Sequence, residues 1–144
     1  MNRQSVVVCV TDQQSCVRLI HEGSRISREK DLDLHVLSVV PLKVAPRSCG
    51  EALEYLFSAS RDVGAEMTVF YNNDVLPTIL DFLEKKRATD VVLGEGDLSA
   101  GGFMDSLLSH TQANLHVVDK KGGNTGYRKG RPLDYNKESY RKAR

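Results

Sequence analysis

The sequence predicts an α/β fold: a doubly wound three-layer sandwich around a five-stranded parallel sheet. Three observations predict it. Five short apolar runs recur along residues 1–119. None alternates strictly between apolar and polar residues, as expected of strands buried on both faces. Each gap between runs carries apolar residues at helical spacing, the signature of crossover helices that wrap right-handed onto the sheet.

The elements follow in order. Ser5-Val6-Val7-Val8-Cys9-Val10 is the first strand. A helix from Ser15 to about Lys30 sets Val17, Ile20, Ser24 and Ser27 on one face, and its small residues Gly23, Ser24 and Ser27 allow close approach to the sheet. Leu34 to Val40 is the second strand. Ser48-Cys49-Gly50-Glu51 has the capping-box form, and Leu53, Leu56, Phe57 and Ser60 follow at i, i+3, i+4 and i+7. Gly64 stands where that helix should stop. Glu66 to Tyr71 is the third strand. The third helix starts after Asn73-Asp74, takes Pro77 in its first turn, and carries Leu76, Ile79, Leu80 and Leu83 on one face. Asp90 to Leu93 is the fourth strand. The last helix starts at Gly101-Gly102 and uses Met104, Leu107, Leu108 and Thr111; Leu115 to Asp119 is the fifth strand.

Composition bounds the function. The chain has 144 residues, 40% hydrophobic and 27% charged, ordinary for one soluble domain. No apolar run approaches the ~20 residues of a membrane helix, and the N-terminus lacks signal-peptide anatomy, so a cytoplasmic protein is expected. The net charge of +1 conceals an asymmetry. Residues 1–119 hold 11 Lys and Arg against 17 Asp and Glu, a net of −6; residues 120–144 hold 9 against 2, a net of +7. This divides the chain into an α/β domain, 1–119, and a basic tail, 120–144, read as flexible from Gly122 to Gly126 and too poor in aliphatics to fold alone. Cys9, Cys16 and Cys49 lack CxxC spacing and read as free thiols in inert roles.

In an open α/β sheet, ligands bind beyond the carboxyl ends of the strands, where the strand order reverses. Two loops are candidates. One is Val10-Thr11-Asp12-Gln13-Gln14-Ser15. The other runs from Gly94 to Gly102, with four glycines in nine residues, and leads into a helix N-terminus that offers free N–H donors to an anion.

Together the loops and the βα order resemble the universal stress protein family over about residues 4–119. Val8-Cys9-Val10-Thr11-Asp12 looks like that family's first strand, which ends in an Asp near the nucleotide. Leu34 to Val40 is similar to its second strand, and Asp90-Val91-Val92-Leu93-Gly94 to its fourth strand and first loop glycine. Leu107-Leu108-Ser109-His110 and Leu115-His116-Val117-Val118 match its last helix and strand. The resemblance implies strand order 3-2-1-4-5. It implies an adenine nucleotide, ATP or AMP, with Mg²⁺: Thr11 and Asp12 at the ribose or metal, Val39 and Val40 at the base. The backbone of Gly94, Gly96, Gly101 and Gly102 would face the phosphates. It also implies a homodimer paired through the last strand, with Leu115 to Val118 as an open edge.

The phosphate loop departs from the family pattern of Gly, two residues, Gly, nine residues, Gly-Ser/Thr. Six residues lie between Gly94 and Gly101, Asp97 replaces the second glycine, and Gly102 replaces the hydroxyl residue. Glu95, Asp97 and Asp105 give this stretch a net of −3. An acid ~4 Å from a phosphate repels it by about 1–4 kcal/mol, and a helix dipole returns about 0.3–1 kcal/mol. The expectation is weak, Mg²⁺-dependent binding by a regulatory protein of the stress response that turns over no substrate. The alternative is a scaffold without a nucleotide, or a module whose basic tail meets an anionic protein or RNA. Tyr127, Tyr135 and Tyr140 are interleaved there with cations, and removal of the tail should leave the thermal midpoint unchanged. An enzyme of the wider nucleotide-hydrolase superfamily ranks last, because no catalytic constellation is recognisable. His21, His35, His110 and His116 have no metal-ligand spacing, and His35 and His116 read as packed strand residues.

Overall fold

A computed structural model describes residues 3–47, 50–95, 103–121, 123–128 and 131–132. The order of elements is β1 (Ser5–Cys9), α1 (Val17–Lys30), β2 (Asp33–Val40), α2 (Gly50–Asp62), β3 (Glu66–Tyr71), α3 (Val75–Lys85), β4 (Ala88–Gly94), α4 (Phe103–His110), β5 (Asn114–Val118), β6 (Asn124–Arg128) and β7 (Arg131–Pro132). Single 3₁₀ segments, Gln14–Cys16 and Leu42–Arg47, follow the first two strands. The sheet order is β3-β2-β1-β4-β5-β6-β7. Its first five strands are parallel, in the expected 3-2-1-4-5 order.

The apolar runs sit where both faces are covered. All five residues of β1 are buried, and successive side chains feed two cores. Val6 and Val8 join Leu19, Ile20, Leu34, Val36 and Leu56 under α1 and α2. Val7 and Cys9 join Leu37, Ile79, Phe82, Leu93, Leu107 and Leu115 under α3 and α4. Helix α1 lies as close to the sheet as its small residues allow: a Cβ added at Gly23 would stand 2.3 Å from Val8 Cγ2. Gly64 ends α2 at φ +76°, the left-handed stop that only glycine adopts freely. The Ser48 and Cys49 half of the capping box and the Gly101-Gly102 helix start lie outside the described residues.

The tail differs from its expectation. Residues 124–128 form a sixth strand, antiparallel to β5 from Val118↔Asn124 to Leu115↔Tyr127, and β7 pairs in turn with β6. Two local features make the hairpin. The Asp119 carboxylate accepts the N–H groups of Lys121 at 2.8 Å and Gly123 at 2.7 Å, while the Asp119 N–H donates to Gly123 O. A Cβ at Gly123 would fall 2.7 Å from the Asp119 carboxylate, so a side chain there would have to push that carboxylate aside. The outer edge of β5, expected to be open for pairing with a second copy, is occupied by the chain itself.

Candidate functional site

The strand order reverses between β1 and β4, because α1 and α2 carry the chain to one side and α3 carries it back across to the other. Beside that reversal, at the carboxyl ends of β1 and β2 and under α3, a recess of about 30 Å³ is lined by Cys9, Val10, Thr11, Leu37, Val39, Val75 and Ile79, and by no residue of β4. Its walls are apolar, and the Thr11 hydroxyl lies 3.4 Å from Cys16 Sγ at one side. Val75 and Ile79, from the first half of α3, form one wall of it.

Thr11 and Val39 therefore meet at one recess. Val40 does not line it. The strand period of two turns Val40 to the other face, where it is 6% exposed, while Val39 packs on the α3 side. Asp12 is half-buried just beyond Thr11. Gly94 is the buried last residue of β4, and the next N–H, from Glu95, donates to Val118 O at 2.9 Å. Gly96, Gly101 and Gly102 lie outside the described residues. Among the described residues, no three His, Cys, Asp or Glu side chains are grouped to hold a metal ion.

A second constellation lies between α1 and strands β4 to β6. Asp90, 1% exposed, accepts His116 Nε2 at 2.8 Å and Lys30 Nζ at 2.8 Å on one oxygen, and the Thr89 hydroxyl at 2.8 Å on the other. Burial pushes the Asp90 carboxyl up, but the hydrogen bonds from His116 and Lys30 outweigh it and hold the group well below the usual carboxylate range. Nearby, Glu22 accepts Arg25 at 2.7 Å and the Asn124 amide of β6. Burial raises Glu22, and these two donors bring it below its ordinary value. The sequence signals for this cluster were faint: Asp90 interrupts an apolar strand, and His116 sits in another. Its third member, Lys30, is distant in sequence and recognisable only once α1 packs on β4.

The remaining singled-out groups are structural. Cys9 is buried, and desolvation pushes its thiol up to about 12. Cys16 is fully buried, and Cys49 lies outside the described residues. His35 packs edge-on against Phe82 at 6.2 Å between ring centroids; burial, and then the Lys86 charge, push it below the ordinary histidine value. No described helix is long and apolar enough to cross a membrane.

No family model and no curated protein matches the chain. Solved structures do. A universal stress protein in complex with cAMP superposes with a TM-score of 0.60 at 12% identity, covering 82% of this chain and 98% of that one. The universal stress protein from Archaeoglobus fulgidus gives 0.60 at 20% identity, covering 83% and 94%. A universal stress protein from Archaeoglobus fulgidus in complex with dAMP gives 0.57 at 20% identity, covering 83% and 98%. The chain has the universal stress protein fold.

Proposed function

We propose that the protein is a nucleotide-responsive regulatory protein that binds an adenine nucleotide weakly at the reversal point beside β1 and turns over no substrate. One observation carries this reading. The recess formed by Thr11, Val39, Val75 and Ile79 lies at the carboxyl ends of β1 and β2, beside the strand reversal. Proteins of the same fold have been solved with cAMP and dAMP. The apolar walls suit the faces of a purine, and the Thr11 hydroxyl suits a ribose oxygen. Asp12, which follows Thr11, and Glu95, which follows β4, are acids at the carboxyl ends of these strands and oppose tight phosphate binding. Mg²⁺ would offset those acids, and the adenine monophosphates place fewer charges beside them than ATP does.

Calorimetry on the full chain with AMP, cAMP and ATP, with and without Mg²⁺, tests the reading. The expected result is weak binding that favours the monophosphates, strengthens ATP when Mg²⁺ is present, and disappears in Ile79→Trp, which fills the recess. Absence of any adenine nucleotide binding, or tight metal-free binding of ATP, would overturn it.

A further inference from the structure

The two edges of this sheet are treated differently. On one side the chain's own β6 and the two-residue β7 extend the sheet antiparallel beyond β5. The other edge is β3, which among the described residues has a strand neighbour on one side only. Its backbone polarity follows from the register. Asn72 N–H donates to Val40 O at 2.9 Å, so residues 68, 70 and 72 face β2. Alternation then turns the N–H and C=O groups of Met67, Val69 and Tyr71 outward.

Sheet edges are ordinarily protected by lysine, proline or a bulge. The β3 sequence, Glu-Met-Thr-Val-Phe-Tyr, contains neither residue, and its pairing with β2 runs without a register shift. It also leaves large apolar surface in water at its carboxyl end, where Phe70 is 39% exposed and Tyr71 51%.

We propose that this edge pairs antiparallel with the β3 edge of a second copy, about a two-fold axis at Val69. The strand is self-complementary in that register. Val69 meets Val69 and Met67 meets Tyr71 on one face, while Thr68 meets Phe70 on the other. All three outward residues of each copy are paired, two bonds for each of three opposed pairs, or about six N–H···O bonds. The lone charge, Glu66, falls opposite Asn72, so the two glutamates stand at opposite ends of the ladder. The exposed aromatic end of one copy covers the plainer end of the other. Because the contact is isologous and uses the β3 edge of both copies, it stops at two copies instead of growing into a filament.

Sedimentation equilibrium over a concentration series tests this on the full chain. The unmodified protein should show a dimer mass. Tyr71→Pro deletes an outward donor that β2 does not use, and proline is tolerated at such an edge position. Val69→Lys sets two cations against each other on the axis. Each variant should weaken the dimer at least about tenfold, with unchanged far-ultraviolet circular dichroism. Should Tyr71→Pro misfold, Val69→Lys decides. A monomeric unmodified protein, or a dimer that a folded variant leaves intact, would overturn the proposal.

Discussion

His116 donates through Nε2 to the Asp90 carboxylate at 2.8 Å, with both side chains almost wholly removed from water. An ionised carboxylate can only accept, so this contact places a proton on Nε2. The same oxygen takes Lys30 Nζ, which joins the end of α1 to the middle of the sheet. Geometry of this kind resembles part of a catalytic relay, but it sits inside the protein, with Asp90 1% exposed and His116 3% exposed. Its evident role is to fix α1, β4 and β5 relative to one another.

Asp90→Asn should therefore be strongly destabilising. It leaves His116 beside an amide and Lys30 without a counter-charge, and breaking a buried pair from one side costs roughly 3–5 kcal/mol. Lys30 is 46% exposed and can turn to water, which favours the lower end of that range. The pH dependence has a definite sign. The folded-state value of Asp90 is depressed, so its contribution is complete above the unfolded value near ~4 and is lost as pH falls below it. Glu22 acts in the same direction. Chemical denaturation at descending pH should show stability falling below about pH 4, with a flatter profile in Asp90→Asn.

Gly23 reports how closely α1 approaches β1. Alanine there gains about 1 kcal/mol of helix propensity, but its Cβ would meet Val8 Cγ2 at 2.3 Å and Leu34 Cδ1 at 3.2 Å. Overpacking of a fixed contact costs about 1–3 kcal/mol, so the clash should win. Gly23→Ala is expected to lower the denaturation midpoint, and Gly23→Ala with Val8→Ala should recover part of the loss relative to Val8→Ala alone.

Cys9 and Cys16 should behave as inert packing residues. The Cys9 thiol is held protonated up to about pH 12, and Cys16 is fully enclosed. A thiol reagent added to native protein at neutral pH should leave both unmodified, as judged by peptide mass mapping, and should modify both after denaturation. Rapid native labelling of either would mean that the β1–α1 region opens readily.

The fold was legible in the sequence where local pattern and long-range packing agree. Val6 to Val10 could only be a doubly buried strand, and Gly23, Ser24 and Ser27 announced a close helix. The site was legible in part. Strand period alone separates Val39 from Val40, yet a resemblance that assigns a whole strand end to the base does not make that distinction. The strand at 124–128 was not legible in the sequence because its local chemistry is ambiguous. Glycines flanking Asn124 read as a linker by composition, whereas the Asp119 carboxylate turns the same residues into a hairpin. The Asn124 contact with Glu22 spans 102 positions and leaves no local trace.

That hairpin changes what truncation should do. Composition alone predicts that a chain ending at Lys120 keeps its thermal midpoint. With β6 in place, the same cut strips the partner from β5 and exposes backbone groups of Leu115 to Val118. It also removes the Asn124 amide from Glu22 and deletes Gly123 from the Asp119 turn. Each lost hydrogen bond is worth about 0.5–1.5 kcal/mol, and buried groups left unpaired cost more. Truncation after Lys120 should lower the thermal midpoint measurably and raise amide exchange in β5 more than in β1. The uncovered edge should also promote further association through β5, seen on sedimentation as a mass above that of the full-length protein's dimer. A truncated protein with an unchanged midpoint and unchanged β5 exchange would mean that β6 contributes nothing to the body, and it would return the basic segment to the part of an independent binding arm.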